Sequence, residues 1–251
     1  MKKFLLSISL TLIAATSFGQ ADWRTNFDPP YFQQHFSNRF YVDTVTNPNC
    51  KWQVGHPTKT VFVSAYSNPD ALVTDTLNTL SPNDTSSIYI KHFRHWQPFH
   101  VFRLHFWFQM NGDSTDRGIM EVSPDSGQTW INILTEDTTY HFFWSSPKPT
   151  LTGSTSGWQS FDLDMIEWGS AYPGWGGTPF PIYITSDTVL FRFTYITDSN
   201  SVPRDGWMID DLYLEDWAEG IAEIQNNNLI SIYPNPTDEN LFIHKIKNTD
   251  K

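Results

Sequence analysis

The chain has 251 residues, with 16 Lys and Arg against 27 Asp and Glu and a formal net charge of −11. An acidic balance of that size disfavours nucleic acid and anionic lipid as partners and suits cations. Cys50 is the sole cysteine, which excludes an internal disulfide and a thiolate metal site, so stability has to come from a packed core or from metal.

Residues 1–19 read as a secretory signal. Lys2 and Lys3 form a basic start, Phe4 to Ala15 an apolar run, and Ser17 and Gly19 are small. The run is too short to span a bilayer and has no charged stop-transfer flank. Cleavage after Gly19 would leave 14 basic residues against 27 acidic, a net charge of −13.

Residues 20–217 have a normal size for one all-β domain, enough to bury roughly 70% of the unfolded surface. No convincing amphipathic helix occurs; short alternating runs recur between turn signals instead. Val61 to Tyr66 ends at Asn68-Pro69-Asp70, and Ser87 to Lys91 follows Ser81-Pro82-Asn83-Asp84. The clearest strand is Phe99 to Met110. Phe102, Leu104, Phe106, Phe108 and Met110 point one way, as core; Val101, Arg103, His105, Trp107 and Gln109 point the other, onto a face that is either partly covered or a binding surface. Gly118 to Val122, Trp130 to Leu134, Trp158 to Leu163, Val189 to Ile196 and Trp207 to Leu214 complete a pattern that predicts a two-sheet antiparallel β-sandwich of the jelly-roll type.

Several motifs also resemble a known family. Lys51 to Pro57 precedes Ala65 and Ala71-Leu72-Val73-Thr74. Leu104 to Trp107 precedes Asp116-Arg117-Gly118-Ile119-Met120-Glu121-Val122-Ser123. Asp125 to Trp130, Leu190 to Phe193 and Asp205 to Leu212 follow. In that order they resemble the MAM-like jelly-roll domain appended to secreted bacterial proteases of the immune inhibitor A type. The resemblance spans about residues 51 to 215 and includes no protease domain; Arg117 stands where that family usually carries a second Gly.

Ser123-Pro124-Asp125-Ser126-Gly127-Gln128-Thr129-Trp130 fits the Asp-box pattern of sialidases, in which it is a structural turn. An Asp carboxylate can cap turn N–H groups, Gly supplies a positive φ and Trp staples the next strand. Phe161 to Glu167 resembles the catalytic strand of laminarinase-type glycosidases, with Asp162, Asp164 and Glu167 as the carboxylates; a retaining enzyme needs two of them roughly 5 Å apart. Asp162 stands where that family carries the longer Glu. Asp210 and Asp211 form the pair most suited to a metal. Strict alternation along Trp207 to Leu214 puts Asp210 with Met208, Leu212 and Leu214, and Asp211 with Trp207, Ile209 and Tyr213, so one carboxylate sits among apolar side chains and needs a partner. A hard cation or turn N–H groups would serve equally. Related jelly rolls commonly bind structural Ca²⁺, which makes Asp116 a candidate co-ligand with Asp210 and Asp211.

His92, His95, His100 and His105 invite a zinc reading, yet His100 and His105 fall on opposite faces of an extended strand and no His-Glu-x-x-His occurs. The Gly-rich run from Trp168 to Gly177 carries Trp168, Tyr172 and Trp175, rings that could stack on sugar or fill a protein pocket, or fold back onto the sandwich. Asp43-Thr44-Val45, Asp75-Thr76-Leu77 and Asp187-Thr188-Val189 look like bacterial O-glycosylation triplets.

A linker over 218–230 leads to the last segment, 231–251. Tyr233, Pro234, Asn235 and Pro236 read as a turn, each Pro fixing its own φ and biasing the residue before it. Gly220-Ile221-Ala222-Glu223, the Asn226-Asn227-Asn228 linker, Ile232 to Thr237 and Asn240-Leu241-Phe242-Ile243 resemble the start of the type A C-terminal sorting domain of the type IX secretion system. That resemblance implies a secreted or cell-surface destination with the type IX machinery as partner, and a sorting segment cut short at Lys251. The expectation is a non-catalytic surface module binding carbohydrate or protein, with a structural calcium. A divergent β-sandwich glycosidase and a structural display domain are the alternatives.

Overall fold

The computed structural model describes residues 23–42, 44, 47–93, 99–135, 142–144, 147–168, 186, 188–199, 202–217, 230–233 and 242–245. The expected signal at 1–19 lies outside them. Residues 1–218 and 219–251 form two compact units.

The first unit is a sandwich of two antiparallel sheets. In chain order its strands are β1 (Trp23–Thr25), β2 (Phe40–Val42), β3 (Trp52–Gly55), β4 (Ala71–Thr74), β5 (Thr85–Phe93), β6 (Phe99–Asn111), β7 (Arg117–Ser123), β8 (Ile131–Asn132), β9 (Phe142–Trp144), β10 (Gln159–Trp168), β11 (Thr188–Ile196) and β12 (Gly206–Trp217), with one short helix, α1 (Tyr31–His35). One sheet runs β3-β4-β12-β6-β10-β9, with β1 also on β12; the other runs β2-β5-β11-β7-β8. Sheet neighbours that are far apart in sequence are the mark of Greek-key connections, as a jelly roll requires.

The alternation in β6 is realised as read: Leu104, Phe106, Phe108 and Met110 are buried, and Arg103, His105, Trp107 and Gln109 are only partly covered. Phe106 lies at the centre of the core, stacked on Phe161 at 4.4 Å and reaching Phe193 of the facing sheet at 5.6 Å. Phe193 in turn stacks on Trp207 at 5.9 Å. Full burial of such rings contributes about 1.5–3 kcal/mol each.

Two expectations fail, for identifiable reasons. Val61 to Tyr66 is irregular loop, not strand. Phe62 and Ala65, three positions apart, are buried and Val63 is exposed, so the two-residue period of a strand is not kept, and the Val61 and Phe62 N–H groups bond the Asp205 carboxylate at 2.6 and 2.9 Å in place of a neighbouring strand. This loop packs Phe62 and Ala65 over Ala71, Val73 and Met208 on the outer side of the sheet, which is why all four residues of β4 are buried. The second failure is in β12. Its register on β6 shifts between Asp210 and Tyr213, and Asp211 has φ +48°. One extra residue reverses the alternation. Trp207, Ile209, Leu212 and Leu214 therefore all join the core, while Met208 and Asp210 sit on the other face.

In the second unit, β13 (Ile230–Tyr233) pairs antiparallel with β14 (Phe242–Lys245), with Tyr233 opposite Phe242. Pro234, Asn235 and Pro236 lie outside the described residues.

Candidate functional site

The outer face of the larger sheet collects polar side chains in register. His105 of β6 stands between Asp162 of β10 and Tyr213 of β12; one pair along, Arg103 stands between Asp164 and Glu215. Arg103 donates from Nε and Nη2 to the two Asp164 oxygens at 2.7 and 3.0 Å, and its Nη1 lies 3.9 Å from Glu215. His105 Nδ1 lies 2.5 Å from Asp162. Next in β6, Trp107 carries the ring of Tyr66 stacked at 4.5 Å and 11°, with Trp158 edge-on to Tyr66 at 5.6 Å. Tyr66 keeps 42% of its surface exposed. The loop over this sheet thus covers one part of the face and leaves an aromatic stack beside the Arg103–Asp164 ion pair and the His105–Asp162 contact on the rest.

Asp162 lies against His105 and Asp164 against Arg103, so both of these carboxylates on the expected catalytic strand already have a side-chain partner. The Glu167 side chain lies outside the described residues. Of the expected contact residues, Trp168 is the last residue of β10, opposite Phe99, and Tyr172 and Trp175 lie outside the described residues.

The expected metal residues fall in two places. Asp210 is fully buried, and its carboxylate accepts the Ser67 N–H at 2.7 Å, the Ser67 Oγ–H at 3.1 Å and the Asp211 N–H at 2.7 Å. Burial pushes its pKa up to about 7 against these donors. Asp211 pairs instead with Arg24 at 3.1 Å. The bulge supplies this split: it turns Asp210 under the 56–70 loop and sends Asp211 to the β1 side.

Asp116 belongs to a different cluster. Asp113, Asp116 and Asp198 bring one carboxylate oxygen each within 4.8 Å of one another. They sit on the turn after β6 and the segment after β11. Thr115 Oγ1 bonds both Asp113 at 2.7 Å and Asp198 at 2.6 Å, and the Asp198 N–H bonds Asp116 at 3.1 Å. Beside them the Tyr195 hydroxyl is buried with no hydrogen-bond partner. Burial, then the charges of Asp116 and Asp113, push that phenol well above its ordinary pKa, against a smaller opposing effect of Arg204. Gly112 permits the approach, since a Cβ there would collide with Tyr195 Oη. Carboxylate oxygens at this spacing fit a hard cation, whose ligands lie at about 2.3–2.6 Å from calcium. Of this cluster only Asp116 was a candidate from the residues alone. Asp113, three positions earlier in a Gly turn, was legible in principle; Asp198, 82 positions away, carries no local signal.

Of the histidines read for zinc, His95 and the His100 side chain lie outside the described residues. His92 is fully buried and accepts the Trp23 Nε1–H at 3.3 Å. Cys50 is half-buried and its thiol donates to the Ser87 carbonyl at 3.2 Å. Among the described residues no helix is long and apolar enough to cross a membrane.

No family model and no curated protein matches this sequence. Among solved structures the chain is similar to the carbohydrate-binding module TmCBM61 in complex with β-1,4-galactotriose, at 13% identity and a TM-score of 0.37, covering 76% of this chain and 97% of that one. It is similar to the K2 cleaved adhesin domain of Lys-gingipain at 11% identity and a TM-score of 0.40, covering 77% and 98%. A third likeness is to the C-terminal CBM6 of LamC, a marine laminarinase from Zobellia galactanivorans, at 7% identity and a TM-score of 0.34, covering 77% and 98%.

Proposed function

We propose that the sandwich is a secreted, surface-displayed, non-catalytic module that binds carbohydrate or an extracellular protein. The observation that carries this is the outer face of the larger sheet, where the Tyr66–Trp107 stack lies next to the Arg103–Asp164 and His105–Asp162 pairs. Aromatic faces take up the C–H faces of sugars or apolar protein anchors, and fixed polar groups beside them set orientation. Trp168, Tyr172 and Trp175, on and beyond the end of β10, belong to the same proposal as further contacts. A structural Ca²⁺ is part of the reading; Asp113, Asp116 and Asp198 would hold it, and Asp210 and Asp211, with partners of their own, would not. The 220–251 segment supports export through the type IX machinery.

The test is a glycan and extracellular-matrix array probed with the chain in Ca²⁺ and in EGTA, alongside Trp107→Ala and Tyr66→Ala. Binding that both variants lose supports the reading. A blank array, or binding that neither variant alters, refutes this face as the site. Release of reducing sugar that disappears in Glu167→Gln would favour the glycosidase alternative.

A further inference from the structure

The five-stranded sheet carries a second collection of rings on its own outer face, unrelated to the face just described. One register row crosses the sheet: Tyr41 of β2 pairs Tyr89 of β5, Tyr89 pairs Arg192 of β11, Arg192 pairs Glu121 of β7, and Glu121 pairs Asn132 of β8. Tyr41 and Tyr89 stack at 4.9 Å and 14°, and Trp130 meets Tyr89 edge-on at 5.8 Å. None of these three rings belongs to the hydrophobic core. Beside them lies a pocket of about 400 Å³ whose lining includes Tyr41, Thr44, Tyr89, Ser126, Trp130 and Leu190.

The Asp-box turn builds one wall. The Asp125 carboxylate accepts the Thr129 N–H at 2.8 Å and the hydroxyls of Thr129 and Ser123 at 2.7 and 2.9 Å, while Ser123 Oγ accepts the Gly127 N–H at 2.7 Å. These bonds hold Ser126 at φ +58° and Gly127 at φ +94° and so aim Trp130 back over the sheet. Arg192 then lies 4.1 Å over the Trp130 ring, itself anchored on Glu121 at 2.6 Å. The wall is fixed before any ligand arrives, which limits the ordering cost of binding.

We propose that this pocket is a saccharide-binding site, taking one or two pyranose units of a neutral glycan. Its volume falls in the roughly 300–1,000 Å³ range of small-molecule sites. Its lining combines the aromatic surface of Tyr41, Tyr89 and Trp130 with the hydroxyls of Thr44 and Ser126, the mixture of apolar and polar surface that a sugar presents. A cationic ligand is disfavoured because cations of the chain already sit on two of the rings, Arg192 over Trp130 and Lys91 over Tyr41 at 4.7 Å. The Asp box, a turn element by its sequence, becomes the part that positions Trp130.

The test is calorimetric titration of the full chain with cellotriose, laminaritriose and β-1,4-galactotriose, in the wild type, Trp130→Ala, Tyr41→Ala and Trp107→Ala. Tyr41 stands on an edge strand, so its loss leaves the fold intact even if Trp130→Ala does not. The expected result is a saturable heat with at least one sugar, weakened about tenfold or more by Tyr41→Ala and by any folded Trp130→Ala. No heat with any of the three, or a heat that Tyr41→Ala leaves unchanged, overturns the proposal. A heat lost only in Trp107→Ala also overturns it and assigns the sugar to the other sheet.

Discussion

Asp210 gives the sharpest quantitative handle on this fold. Its carboxyl is fully buried beneath the 56–70 loop, and burial raises its pKa from 3.8 to about 7. Because the folded state holds that proton more tightly than the unfolded chain, stability attributable to Asp210 is greatest below pH 4, falls as pH rises from about 4 to about 7, and is level above that. At about 1.4 kcal/mol per pH unit the fall has a ceiling of about 4 kcal/mol. Asp210→Asn keeps the shape and one acceptor oxygen, and costs about 1 kcal/mol for the N–H left without its partner, independent of pH. Urea denaturation at pH 4, 5, 6, 7 and 8 should therefore show curves that cross, the variant weaker than wild type at pH 4 and stronger at pH 7. Parallel curves would refute the argument. A wild type that gains stability over the variant between pH 4 and 7 would also refute it, and would be the signature of a cation on Asp210.

Lys59 titrates with the opposite slope. Its Nζ is buried, bonded to the Thr74 and Asp205 carbonyls, and burial lowers its pKa to about 8. The unfolded chain then binds more protons between pH 8 and 10.5, so stability should rise with pH across that window in the wild type and not in Lys59→Met, as followed by denaturant midpoints. Gly206 has φ +94° and an added Cβ would meet Thr74 and Leu80, so Gly206→Ala should destabilise by about 2 kcal/mol or more in the same assay. Phe106→Ala removes the ring that joins the two sheets and should cost about 3–5 kcal/mol. If Asp113, Asp116 and Asp198 hold calcium, added Ca²⁺ should raise the melting temperature of the wild type and leave Asp198→Asn unmoved; equal melting of both with and without EGTA would remove the cation from the picture.

The residues themselves determined the all-β class and the inner and outer faces of β6, because alternation of Leu104, Phe106, Phe108 and Met110 with Arg103, His105 and Trp107 is a local, period-two signal. They also pointed to the Asp-box turn, whose bonds close within eight residues. Tertiary structure alone decided the rest. The bulge at Asp211 reversed the faces of β12, since a one-residue insertion leaves no trace in composition and inverts every side chain after it. Val61 to Tyr66 reads as a strand from its residues, but the Asp205 carboxylate, 144 positions from Val61, took the N–H groups a strand would have needed. Asp116 found its acidic neighbours across a turn and across the sheet, not along β12. Tyr41, Tyr89 and Trp130 became one pocket only because strands distant in sequence pair in register. Local periodicity is written in the chain residue by residue; convergence of far-separated side chains is a property of the pairing, and appears only once the sheets are formed.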